Sequence, residues 1–139
     1  MKEPIKKECF RTYYNKGGSI VVYNNKYGSF IGSARCHPDD KDKMSEITGC
    51  TIAEKRADLK YYKERLKLLK REYKAFLTFF HSLSETEWNH INKKAINKIA
   101  EYETRIAEYE GAIAKTEDDI RQYIRIKDMV AEKVNGQNS

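Results

Sequence analysis

The chain has 139 residues, 40% of them hydrophobic and 35% charged, with a formal net charge of +6 and a mean hydropathy of −0.83. That length bounds it to one domain with one modest core, and apolar residues at helical spacing exclude a disordered polyelectrolyte. No run of about 18 apolar residues offers a membrane span. With no signal-type apolar core near the start, a cytoplasmic protein with no membrane partner is expected.

Charge is unevenly divided. Residues 1–83 carry 18 basic against 10 acidic side chains, and residues 84–139 carry 9 against 11. The basic excess is densest from Lys60 to Lys74. Such a face suits nucleic acid or another polyanion; equally, a basic helix lying on an acidic one needs no outside partner. Cys9, Cys36 and Cys50 are odd in number and lack paired spacing, as expected of reduced thiols.

In chain order, 8–14 and 18–24 are rich in β-branched and aromatic residues and flank Asn15-Lys-Gly-Gly18, a hairpin signal. A second turn at Asn24-Asn25-Lys26 leads into 27–36, where Phe30, Gly32, Ala34 and Cys36 share one face. Small residues at 32 and 34 leave room for a helix to lie close. A two- or three-stranded antiparallel meander follows, marginal alone and therefore packed on a helix or a second copy.

Beyond Pro38-Asp39-Asp40 the apolar period changes from two to seven. Leu59, Tyr62, Leu66, Leu69, Tyr73, Phe76, Phe80 and Leu83 form a coiled-coil seam. Ser45 and Thr51 are both candidate N-caps, Thr51-Ile-Ala-Glu54 having capping-box form. Ser84-Glu-Thr-Glu87 is a second capping box and opens the next helix. That helix repeats the spacing from Asn92 through Tyr102, Tyr109 and Ile120 to Val134, and ends before Asn135-Gly136. Gly111 interrupts it and marks a bend or a close approach.

The fold class read from this pattern is α+β. A small N-terminal meander with its strand-to-helix corner occupies 1–45, and a long antiparallel two-helix coiled-coil hairpin occupies 46–139, within one domain. Helices over about 48–83 and 84–134 measure roughly 54 and 76 Å. The longer one should overrun its partner by about 20 Å and pack that overhang, from Ile120 to Val134, on the meander or on another subunit. A homodimer or larger assembly is expected.

Cys36, His37, Asp39, Asp40 and Cys50 contain zinc-ligating atoms but lack the paired spacing of a structural zinc site. Neighbouring strand residues point to opposite faces, so Cys36 and His37 are poorly placed to act together as nucleophile and base. Phosphate-loop, metalloprotease and nucleophile-elbow motifs are absent from the sequence. We therefore expect no enzymatic activity, no metal and no cofactor. Two features suit binding. Phe80, Trp88 and Asn92 gather with Phe79, His81, Asn89 and His90 at the interhelix corner, as aromatic and amide groups do around a base; equally, these rings could plug the hairpin. Arg121 and Arg125 lie one turn apart, as a phosphate clamp requires, or pair with Glu117, Asp118 or Asp128. Lys127 occupies a seam position.

Residues 32–60 resemble a pattern of small bacteriophage and Firmicute proteins. The matching positions are Ala34, Cys36, Pro38, Asp40, Gly49, Ala53, Arg56 and Ala57. In layout, a small sheet followed by two long helices, the chain is similar to the Thoeris anti-defence family, oligomeric sponges for cyclic ADP-ribose-type signals. This resemblance implies a phage anti-defence protein, in the host cytoplasm, that sequesters a nucleotide signal such as a cyclic ADP-ribose isomer without cleaving it. The resemblance transfers no binding residue; on the residue reading above, the ligand would lie between Phe80 or Trp88 with Asn92 of one chain and Arg121 and Arg125 of another. The same module is loosely similar to double-stranded-RNA-binding folds, so nucleic acid is the rival partner class. A phage structural or interaction protein is the third reading.

Overall fold

A computed structural model describes residues 9–15, 18–35 and 43–137. It has the expected α+β layout: strands β1 (Cys9–Asn15), β2 (Gly18–Asn25) and β3 (Gly28–Arg35), then helices α1 (Lys43–His81) and α2 (Glu85–Gln137). The strands form one antiparallel sheet in the order β1-β2-β3. The corner cluster Cys36, His37, Pro38, Asp39 and Asp40 lies outside the described residues.

Period-two patterning decides which sheet face is buried. Ser19, Val21 and Tyr23 of β2 pair with Ala34, Gly32 and Phe30 of β3, and the five side chains, with Gly32, form the inner face. The rows run from small at the Ser19–Ala34 end to aromatic at the Tyr23–Phe30 end. Along α1 the matching sequence is Ala53, Ala57 and Tyr61. Small meets small and ring meets ring, so the helix comes closest to the sheet at Gly32. A Cβ there would strike the Ala53 carbonyl oxygen and the Ala57 amide nitrogen. Phe30 meets Tyr61 edge-on at 5.3 Å. The Tyr23 hydroxyl donates to the Glu54 carbonyl at 3.3 Å, and burial, then the adjoining Asp58 carboxylate, pushes its pKa far above the ordinary value. The β2–β3 turn falls on Lys26 and Tyr27, one residue later than the sequence suggests. Gly28 supplies the positive φ that closes it.

The seam is as read. Tyr62, Leu69, Phe80, Ala95, Tyr102, Tyr109, Thr116 and Ile120 are buried, with Leu66, Tyr73, Phe76, Ile106 and Ile113 half-buried between them. Its tyrosines bury rings and keep hydroxyls at the rim. Tyr102 donates to Glu72 of α1 and Tyr73 to Glu103 of α2, each at 3.0 Å, around a stacked Tyr73–Tyr102 pair. Arg65 joins three elements, its guanidinium 3.9 Å above the Tyr27 ring and 5.8 Å from that of Tyr109.

Three expectations are corrected. α1 starts at Lys43, so Ser45 and Thr51-Ile-Ala-Glu54 both lie within the helix rather than capping it. Burial of Ile52 and Ala53 against the core carries the helix through that segment and overrides the local capping signal. The earlier start also shortens the overhang. Lys55 bonds Asp119 at 3.2 Å, and counting back from that pair sets Lys43 level with about residue 131. Ile120 and Tyr123 therefore lie alongside α1, and among the described residues α2 packs on α1 and not on the sheet. The side chains of Lys127, Val130 and Val134 lie outside the described ones. Gly111 does not interrupt α2 and marks no close approach: the helix runs through it, and nothing lies within 4 Å of a Cβ built there.

Opposite outcomes are expected at two glycines. Gly32→Ala forces backbone apart and should cost about 2–4 kcal/mol in chemical denaturation. Gly111→Ala meets open space and should add about 0.5–1 kcal/mol, because the unfolded chain loses freedom that the helix does not need.

Candidate functional site at the hairpin corner

The corner is built by two helix ends. α1 stops at His81, where the Ser82 and Leu83 amides turn back to the Phe79 and Phe80 carbonyls. Ser84 then caps α2 as its spacing suggests. The Glu87 amide donates to Ser84 Oγ at 3.3 Å, and the Ser84 amide donates to Glu87 Oε1 at 3.3 Å. The Ser84 hydroxyl, then its amide, holds the Glu87 carboxyl below its ordinary value of 4.5.

Inside the corner, Phe80 is buried and meets Trp88 edge-on at 4.9 Å, with Phe76 at 5.1 Å on another side. These rings plug the hairpin. Phe80 is thus committed to packing, while Trp88 remains 38% exposed at the rim. Asn92 is half-buried and His90 exposed.

Beside this plug lies an open groove of about 250 Å³ lined by Phe76, Phe79, Phe80, Ile91, Ala95, Lys94 and Lys98. Its floor is aromatic because Phe76, Phe79 and Phe80 recur at i, i+3 and i+4 and point to one side of α1. Phe79 is 59% exposed. Lys94 and Lys98, one turn apart on α2, line it largely with their alkyl stems and bring two ammonium groups to its neighbourhood. Lys98 lies 3.9 Å from Glu101 and 5.3 Å from the Tyr102 ring centre, and is still exposed. The volume falls below the roughly 300–1,000 Å³ of sites that enclose a whole drug-sized ligand. It fits one planar ring, with attached anionic groups left at the lysines.

The other two predicted site residues lie elsewhere. Arg121 is 69% exposed and approaches Asp118 at 3.8 Å, and Arg125 is exposed one turn on. About 44 Å of α2 separates Asn92 from Arg121, so one chain brings Phe80 and Trp88 together, with Asn92 one turn beyond Trp88, but not the arginines. Sequence reasoning missed Phe76, Ile91, Lys94, Ala95 and Lys98. Lys94 and Lys98 at i, i+4, one and two turns along from His90, were the available signal. Among the described residues no helix is long and apolar enough to cross a membrane.

The corner's cap carries its own test. Ser84→Ala should lower stability by about 1 kcal/mol. Because the folded carboxyl of Glu87 titrates below 4.5, its contribution is present above that value and is lost as pH falls through the folded pKa. Site-resolved NMR titration should show Glu87 returning toward the ordinary value in the variant, and an unchanged midpoint would contradict the cap.

No family model, curated protein or solved structure matches the chain.

Proposed function

We propose that the protein is a non-catalytic binder that holds a nucleotide-type ligand at the hairpin corner and sequesters it. The observation that carries this reading is the aromatic-floored groove with Lys94 and Lys98 in its lining. A base needs an apolar platform and a phosphate needs fixed positive charge, and this corner offers both within one helical turn. Phe79 is the exposed ring against which a base would rest, with Trp88 and Asn92 farther out along the rim. The layout-level resemblance to the Thoeris anti-defence family adds the class of ligand, a cyclic ADP-ribose-type immune signal in a phage-infected cell.

In this proposal the ligand is completed from a second copy of the chain. Ile124, Ile126 and Met129 leave apolar surface exposed near the free end of α2, beside Arg121 and Arg125. A homodimer that covers that end against a partner's corner brings the partner's arginines to the phosphates. The shorter overhang removes the length argument for such a dimer, and the exposed apolar side chains take its place.

Thermal-shift and calorimetric titration with adenosine monophosphate, cyclic ADP-ribose isomers and inorganic phosphate test the site. Binding is expected for a nucleotide over phosphate alone, with the ligand recovered unchanged after denaturation. Phe79→Ala, Lys94→Ala with Lys98→Ala, and Arg125→Ala should each weaken it by about ten- to a hundredfold. A cleaved product, or a shift that persists in the lysine double variant, would overturn the reading. Light scattering that returns a monomer at micromolar concentration removes the arginines from the site.

A further inference from the structure

α1 has three faces, and two are occupied. Ala53, Ala57 and Tyr61 lie under the sheet, and Tyr62, Leu69 and Phe80 lie in the seam with α2. The third carries Lys60, Lys63, Lys67, Lys70 and Lys74 in alternating steps of three and four, with Arg71 beside them, and all six are exposed. Lys60, Lys67 and Lys74 continue at heptad spacing the line on which Ala53 sits under Gly32. The row thus begins on α1 where the sheet stops covering it, and runs for about 21 Å.

Among the described residues these charges meet no neutralising partner. Glu64 is the one acidic residue of α1 at i±3 or i±4 from a lysine of the row; Asp58 and Glu72 lie two residues from its ends and off its line. Lys63 and Lys70 directly follow seam residues, as Glu110 and Glu103 do on α2, yet Glu103 accepts a hydrogen bond from Tyr73 instead. Among the described residues none of the five lysines closes an ion pair; the pairs present are Lys55–Asp119, Lys98–Glu101 and Arg121–Asp118. Like charges at i+3 and i+4 repel along a helix, so an external anion that covers the row gains affinity and relieves that repulsion.

The composition of the face selects the anion. A membrane-surface helix needs an apolar face beside its lysines, but the apolar faces of α1 are spent on the sheet and α2. A protein partner needs an aromatic or aliphatic anchor at its centre. Among the described residues the exposed large apolar side chains lie on the sheet, the corner and α2, and none lies within the row. Single-stranded nucleic acid is held by rings on which bases stack, and the row has none. Base-edge readout calls for Arg, Asn or Gln, whereas five of the six cations are ammonium point charges.

We infer that the exposed lysine row of α1 is a sequence-independent docking surface for the phosphate backbone of duplex nucleic acid. It is separate from the corner groove and does not depend on that site.

The full chain is titrated against a fluorescent DNA duplex of about twenty base pairs, with four to five phosphates expected to be engaged and a slope of log K on log salt near −4. Between about 50 and 200 mM salt the affinity should fall roughly two-hundredfold. Lys60→Gln, Lys67→Gln and Lys74→Gln together should weaken binding at low salt at least tenfold and flatten the slope by about three. Lys94→Gln with Lys98→Gln should leave duplex binding unchanged, which separates this surface from the groove. Absence of duplex binding at low salt, a slope shallower than about −2, or indifference to the triple substitution overturns the inference. Tighter binding to the single strand overturns it too, as does row-dependent binding to phosphatidylserine vesicles without duplex binding. Should the triple variant be poorly folded, the single substitution Lys67→Gln supplies the same test, with the slope expected to flatten by about one and an unchanged slope overturning the inference.

Discussion

Everything else in this fold is arranged around the approach of α1 to Gly32. Helix backbone from Ala53 to Ala57 sits so close to β3 that no side chain fits between. Both alanines are fully buried, so the contact is backbone against backbone with methyl groups filling the flanks. Close packing of this kind tolerates little adjustment. It fixes where along α1 the sheet begins and, through the widening from Ala53 to Tyr61, the tilt at which the helix leaves it. Arg56 reinforces the same place, donating to the Ser33 carbonyl at 2.7 Å. An edge strand has main-chain groups free for such a bond.

From that anchor the two cores merge. Tyr61 faces the sheet's aromatic end while its neighbour Tyr62 faces α2, the two rings 6.1 Å apart. Tyr62 in turn meets Tyr109 at 6.3 Å. A chain of edge-on rings thus runs from Tyr27 and Phe30 through α1 into α2, and Arg65 clasps its outer side. Edge-to-face pairs add modest directional energy to area burial. Here their main consequence is geometric: a three-stranded sheet too small to stand alone shares one hydrophobic cluster with a long hairpin.

The parts legible in the sequence were those written as a period. Both seams, the capping box at Ser84 and the room left by Gly32 and Ala34 are local patterns whose physics needs no partner to interpret. The start of α1 was hidden because Thr51-Ile-Ala-Glu54 reads as a cap on its own terms, and only burial of Ile52 and Ala53 against the core decides otherwise. The site was legible by half. Phe80 and Trp88 do meet at the corner, yet the groove beside them comes from Phe76 and Phe79 on one helix and Ile91, Lys94, Ala95 and Lys98 on the other. Their juxtaposition depends on the register of the hairpin. That register rests on contacts such as Tyr73 with Glu103 and Lys55 with Asp119, which spacing within either helix does not reveal.

The charge asymmetry has a structural reading as well. Were the basic excess of α1 meant for the acids of α2, the residues flanking the seam would close into pairs across it. Lys55 and Asp119 do, but along the lysine row the flanks are used by tyrosine hydroxyls, with Glu72 and Glu103 accepting from Tyr102 and Tyr73. These bonds position rings, and a carboxylate so engaged is less available to a lysine. Exposed ion pairs contribute between nothing and about 1 kcal/mol, so leaving the lysines unpaired costs the fold little. What it leaves is a long-range field on one face of one helix, which acts on partners at a distance rather than on the core. The hairpin therefore stays together through apolar and aromatic burial, while its charges remain directed outward.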